Sequence, residues 1–391
     1  MKVCDRAAKT SSFLVMDILE RAHALEREGR DIVHLEIGEP DFETPECIKA
    51  AACRALAEGR THYTHSQGII ELREIIAGRY GGAHGLALDP GRIFVTQGTS
   101  PAMLLVFTAL LEPGDKVVIT DPGYACYANF IRLAGGEPVT VPLRPEKGYR
   151  LDISDLIVKL DAEGGRVRAV VVNSPANPTG TVLDTQTMTD LARLARDRRF
   201  ILVSDEIYHG LIYEGEERSL LEFDDQAFVL NGFSKAFAMT GFRLGYVVVP
   251  DWAVSAMRCL AQNLFICANS MAQWAGVTAL REAARDVARM RAVYDERRRF
   301  MIDTLQVMGF HLPARPTGAF YVFIPVPEMA AKFKGSSLAL CRDILERAGV
   351  GVTPGVDFGP GGEGCIRLSY ANSLARIREG LERLGRYFER I

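Results

Sequence analysis

Between Arg92 and Pro250, short apolar runs alternate with amphipathic stretches along the chain. The runs are Ile93–Val95, Val117–Thr120, Val139–Val141, Ala169–Val172, Phe200–Val203, Phe228–Leu230 and Leu244–Val249. Each is short, β-rich and bounded by Gly, Pro, Asn or Asp, as strands buried on both faces should be. In between, apolar residues return at helical spacing; Met188, Leu191, Leu194 and Ala195 share one face of Thr187–Asp197. Strands alternating with helices predict an α/β fold with a mostly parallel sheet joined by crossover helices.

After Pro250 the pattern changes to long helical stretches, among them Ala283–Met308. Ala319–Ile324 and Ile366–Ser369 read as strands around a helix at Ser337–Ala348, which predicts a smaller α+β domain. The amphipathic stretch Phe13–Glu28 is expected to pack there too. The division is therefore an N-terminal segment 1–45 packing with the small domain, a large domain 46–282 and a small domain 283–391. Gly29, Gly59, Gly114 and Gly349 follow helical stretches and suit left-handed C-caps.

Composition narrows the function classes. The 391 residues carry 46 basic and 49 acidic side chains, a net charge of −3. Basic runs are confined to Arg196–Arg199 and Arg297–Arg299, so no footprint for nucleic acid or an anionic membrane is present. The eight cysteines (Cys4, Cys47, Cys53, Cys126, Cys259, Cys267, Cys341, Cys365) show neither C-x-x-C nor a zinc-type spacing with histidine. A reduced compartment follows. Lys2, Asp5, Arg6, Lys9 and Asp17 interrupt the apolar residues from Met1 to Glu20, unlike a secretory signal, and no run of apolar residues is long enough to span a bilayer. The expected location is the cytoplasm.

In open α/β sheets, ligands bind beyond the carboxyl ends of the strands, so the polar residues after each run are where chemistry is sought. Gly98-Thr99-Ser100 follows the first run and offers backbone N–H groups and hydroxyls at a helix start, an anion site or an ordinary N-cap. Ser234 and Arg243 could add a hydroxyl and a planar guanidinium to the same anion. Asp205 follows the fifth run; a buried carboxylate there needs a cationic or hydrogen-bonded partner, which a protonated ring nitrogen, an arginine or a helix cap would each supply. Lys235 lies among Phe233, Phe237 and Met239, where a desolvated amine can form a Schiff base.

These residues resemble a known family. Ser234-Lys235-Ala236-Phe237-Ala238-Met239-Thr240-Gly241-Phe242-Arg243-Leu244-Gly245-Tyr246 closely resembles the cofactor attachment site of the class I/II pyridoxal-phosphate aminotransferases of fold type I, the aspartate aminotransferase-like enzymes. Further matches are Gly38–Phe42, Tyr63 followed by Gly68 and Glu71-Leu72-Arg73, Asn173–Gly180, Asp205–Tyr208 and Gly364–Ser369. The resemblance covers nearly the whole chain and implies a seven-stranded large domain. It implies that Lys235 binds pyridoxal 5'-phosphate and shuttles the substrate proton, and that Asp205 keeps the pyridine nitrogen protonated. By the same resemblance, Asn177 and Tyr208 bond the 3′-oxygen and Tyr124 stacks on the ring. Gly98, Thr99, Ser100, Ser234 and Arg243 hold the phosphate, with Tyr63 reaching it from the other subunit of a homodimer. Arg367 clamps the substrate α-carboxylate, assisted by the Gly38 N–H, and no metal is implied.

The implied activity is ping-pong transfer of an amino group from an L-amino acid to a 2-oxo acid, 2-oxoglutarate by family habit. A carbon–sulfur β-lyase of the same fold would keep every cofactor residue, and a non-catalytic cofactor-binding regulator is a further alternative, weakened by the intact Arg367. Neither Phe265–Gln273 nor Ala102–Leu111 offers a cation for a dicarboxylate, so the donor stays open. Gly359–Gly364 fits G-x-G-x-x-G, but Pro360 and the lack of a following helix make it a loop. His62 and His65 read as solvated, Cys126 as a packing residue and Lys147 as exposed.

Overall fold

The seven apolar runs form seven strands of one sheet: β1 (Ile93–Thr96), β2 (Lys116–Asp121), β3 (Glu137–Pro142), β4 (Val167–Asn173), β5 (Ile201–Asp205), β6 (Phe228–Gly232) and β7 (Gly245–Val248). This computed structural model describes residue 3, residues 5–8 and residues 10–391; Met1, Lys2, Cys4 and Lys9 of the sequence reading lie outside the described residues. The order across the sheet is β1-β7-β6-β5-β4-β2-β3. Only β7 runs against its neighbours β1 and β6; the other pairs are parallel.

β1, β6 and β7 are buried along their whole length, which explains why their apolar residues do not alternate with polar ones. At the edge, β3 exposes Glu137, Thr140 and Pro142, and its two prolines sit where a strand has a free side. Neighbouring residues of a strand enter opposite cores. Val117 and Val171 pack with Leu105 and Val106 of the helix Thr99–Leu110, whereas Val118 and Val170 pack with Leu72, Ile76 and Leu191 of helices on the other face.

A second core is built on β8 (Tyr321–Pro325), β9 (Thr353–Pro354) and β10 (Cys365–Ser369), antiparallel in the order β9-β10-β8. The helix Leu14–Arg27 buries Ile18, Ala22 and Leu25 in this core beside Ile344 and Leu381. Val33 and His34 pair in parallel with Val350 and Gly351, tying the N-terminal segment to the same half of the molecule.

Gly29, Gly59 and Gly349 close helices with φ of 88°, 71° and 66°. Gly114 differs from expectation: its helix ends at Leu110, and it lies in a turn closed by the Asp115 N–H donating to the Glu112 carbonyl at 3.0 Å. The Gly359–Gly364 stretch is a loop of short turns leading into β10, and the Gly361 N–H donates to Asp121 Oδ1 at 2.8 Å. Among the described residues, no helix is long and apolar enough to cross a membrane.

Candidate active site

Because β7 runs against its neighbours, residues that precede it reach the sheet end where residues following the other strands also arrive. Arg243 therefore meets Gly98, which lies just past β1. Gly98 has φ of 96°, and a Cβ there would stand 2.7 Å from Arg243 Nη2; a Cβ on Gly245 would stand 2.7 Å from the Gly98 carbonyl carbon. Glycine is the residue that permits this approach. The helix Thr99–Leu110 starts at the same point, with Thr99 and Ser100 in its first turn and Ser234 buried nearby along the same cavity. Helix N–H groups, hydroxyls and a guanidinium converge as an anion cradle.

The cradle borders a cavity of about 370 Å³. Lys235 opens into it, its ammonium donating to the Gly38 carbonyl at 2.6 Å, and burial lowers its pKa to about 8. Asp205, at the end of β5, is also on the wall and is 3% exposed. The Tyr127 hydroxyl donates to Asp205 Oδ2 at 2.7 Å and the Ile207 N–H to Oδ1 at 3.2 Å, yet burial still pushes this carboxyl up to about 6. Among the described residues it has no ion-pair partner within salt-bridge distance, which leaves room for a protonated ring nitrogen. Tyr208 shares a 2.8 Å hydrogen bond with the Tyr321 hydroxyl, and burial raises its pKa well above the ordinary phenol value, so it stays protonated.

Arg367, on β10, is 2% exposed. Its Nη1 donates to Asn177 Oδ1 at 2.8 Å, and its Nη2 donates to the Glu36 carbonyl at 2.6 Å and to Thr353 Oγ1 at 3.1 Å. The guanidinium carbon stands 4.2 Å from the centre of the Tyr321 ring and 5.0 Å from that of Phe358. Its Nε is buried without a partner. A buried, unpaired N–H on a cation is costly unless an anion takes it, so Arg367 suits a carboxylate brought in by a ligand.

An anion cradle, a partner for a ring N–H and a primary amine of lowered pKa thus border one cavity, and they fit pyridoxal phosphate. A doubly wound α/β sheet with this set at its carboxyl end defines a pyridoxal-phosphate enzyme of fold type I. The chain belongs to the aminotransferase class I and II family, whose profile matches residues 30–384. It is 41% identical over 374 residues to the aspartate/prephenate aminotransferase of Thermus thermophilus, covering 95% of this chain and 94% of that one. It is 39% identical over 389 residues to the (5-formylfuran-3-yl)methyl phosphate transaminase of Methanocaldococcus jannaschii, covering 98% and 99%. The solved structure of Thermus thermophilus aspartate aminotransferase with maleate superposes with a TM-score of 0.93 at 39% identity, covering 99% of each chain. The protein is thus an enzyme that moves amino groups between amino acids and 2-oxo acids with pyridoxal phosphate; neither the lyase nor the regulator alternative is favoured.

Of the residues singled out in the sequence, Gly38, Thr99, Ser100, Tyr124, Asn177, Asp205, Tyr208, Ser234, Lys235, Arg243 and Arg367 line this cavity. Gly98 stands behind Arg243. Tyr63 does not line it in this chain; its side chain is 80% exposed. His62 and His65 also lie off the cavity, and Cys126 is half-buried. Lys147 is more than an exposed lysine, since it is ion-paired with Asp152 and Asp155. Sequence reasoning missed Tyr127 and Tyr321, which hydrogen-bond Asp205 and Tyr208. No local motif marks either residue, since their partners lie 78 and 113 residues away along the chain.

Proposed function

We propose that Lys235 carries the cofactor and that the cavity beneath Arg367 accepts amino acids with apolar side chains. The observation carrying this reading is that Lys235, Asp205 and the incompletely paired Arg367 share one cavity. When bound, pyridoxal phosphate supplies an electron sink for the electrons released at the substrate Cα. Asp205 holds the proton on the ring nitrogen, while Asn177 and Tyr208 donate to the ring oxygen and Tyr124 covers a ring face. Gly98, Thr99, Ser100, Ser234 and Arg243 hold the phosphate. Arg367 takes the α-carboxylate and fixes the orientation of Cα, with Gly38 beside it, and the free Lys235 amine accepts and returns the Cα proton.

The site is shared across a homodimer, with Tyr63 serving the partner's phosphate. Tyr63 is exposed together with Ile70, Leu264 and Ile266. Its loop is anchored beside the phosphate turn, because the Thr64 N–H donates to Cys267 Sγ at 3.4 Å and Gln97, next to Gly98, donates to the Cys267 carbonyl at 2.8 Å. The large domain 46–282 carries the cofactor, the small domain 283–391 carries Arg367, the segment 1–45 packs with the latter, and the enzyme works in the cytoplasm.

Donor choice follows from the remaining wall. Phe13, Val15, Met16, Leu19 and Ile37 line the cavity beside the acidic Glu39, and among the described residues its cations are Lys235, Arg243 and Arg367, which already have roles. An aromatic or aliphatic side chain is matched there; a second carboxylate is not. Single-turnover reactions of the loaded enzyme with phenylalanine, leucine and aspartate test this through loss of the cofactor's visible absorbance. Faster conversion of the apolar donors is expected, and a clear preference for aspartate would overturn the donor assignment.

A further inference from the structure

A second cluster of chemistry-bearing side chains lies outside the cavity. His84 ends the helix Ile70–His84, His209 follows Tyr208, and Glu217 lies in the segment beyond. Each offers a ligand atom, and these atoms lie within 4.8 Å of one another. The two imidazole side chains are 6% and 5% exposed, with ring centres 6.4 Å apart. We propose that His84, His209 and Glu217 form a site for one divalent metal ion of the zinc class, bracing the turn after β5 against the end of the Ile70–His84 helix.

The surroundings are those of metal-binding histidines. His84 Nδ1, buried without a hydrogen bond, lies 2.9 Å from Glu222 Oε1, and His209 Nδ1 lies 3.5 Å from Glu206 Oε2. Carboxylates and carbonyls beside such rings orient them and fix their tautomer. The Glu206 Oε2 atom is buried without a hydrogen bond, although its Oε1 receives Ser204 Oγ, Ser219 Oγ and the Leu220 N–H at 3.0, 3.2 and 2.9 Å. The unpartnered Glu206 oxygen thus stands at the edge of the cluster, 3.5 Å from His209 Nδ1.

Two imidazoles and one carboxylate suit zinc or cobalt rather than magnesium or calcium, which prefer all-oxygen shells. Tetrahedral ligands on zinc stand about 3.3 Å apart, given metal–nitrogen distances near 2 Å. The cluster must therefore tighten, and Glu217, half-buried and already accepting from the Gly210 N–H, is the side chain with room to do so. Water would complete the shell. His84, His209 and Glu217 do not line the cavity that holds Lys235.

The test is metal retention by the holoenzyme. Chelator-stripped holoenzyme is equilibrated with about 10 µM Zn²⁺, desalted and assayed for bound metal, with Co²⁺ as an optical probe. Wild type and His23→Ala are expected to keep about one ion per chain, to show the visible bands of four-coordinate Co²⁺ and to melt a few degrees higher with metal. His84→Gln and Glu217→Gln should lose all three signals while keeping the cofactor's absorbance. If His84→Gln does not fold, the half-buried Glu217→Gln decides. No retained metal in wild type, or retention unchanged in Glu217→Gln, would overturn the proposal. Retention lost in His23→Ala would overturn it too, by placing the ion at the exposed His23, Glu26 and His34 cluster.

Discussion

Asp205 and Arg367 are charged groups held in the interior, and each lacks one partner that a bound molecule can supply. For Asp205 the partner we propose is a cationic ring nitrogen. Asp205→Asn should keep the cofactor yet slow the half-reaction by about a hundredfold or more, because a neutral amide no longer stabilises the ring proton. Stopped-flow absorbance measures this, and rates within a few-fold of wild type would remove Asp205 from the ring nitrogen. For Arg367 the partner we propose is the carboxylate common to all donors. Arg367→Lys should lower kcat/KM for chemically different donors by a similar factor, a loss of about 2–5 kcal/mol, with the melting temperature held. These residues were legible in the sequence because each sits in a local motif at a strand end or on a strand. Tyr127 and Tyr321 were not, since their partners lie 78 and 113 residues away and only the folded packing joins them.

At the scale of elements, the apolar runs exposed the sheet because strands buried on both faces cannot alternate with polar residues. The direction of β7 was not legible, because burial looks alike whichever way a strand runs. That direction is what returns Arg243 to the turn at Gly98. A second feature hidden from the sequence is the contact between His34, in the short parallel pair, and buried Glu36 at 2.6 Å. This carboxylate, followed by Glu26, holds the imidazole up to about 9, above its usual 6.5. The folded chain then binds more protons than the unfolded one between these values, so the contribution is full below pH 6.5 and is lost as pH rises through about 9. Urea titrations of wild type and His34→Gln should differ by about 2–3 kcal/mol at pH 6 and converge near pH 10. A difference independent of pH would mean that His34 acts through packing alone.

At the scale of the whole molecule, Tyr63 lies off the cavity of its own chain and faces outward, 80% exposed. If it serves the partner's site, an inactive Tyr63→Ala subunit and an inactive Lys235→Ala subunit together make one intact site per heterodimer. Random mixing in equal amounts should restore about a quarter of the wild-type activity. Mixtures that form heterodimers and stay inactive would return Tyr63 to its own chain. The shared site was suggested by family resemblance and not by periodicity, because the pattern of one chain holds no direct record of what its surface meets.

The most direct test of the central claim is to reduce the loaded enzyme with borohydride, digest it and locate the modified lysine by mass spectrometry. Lys235 stands at the cavity with its pKa lowered to about 8, so the cofactor mass should be found on the peptide containing Lys235 and on no other. A label on a different lysine, or none after reduction of a visibly yellow sample, would contradict the account.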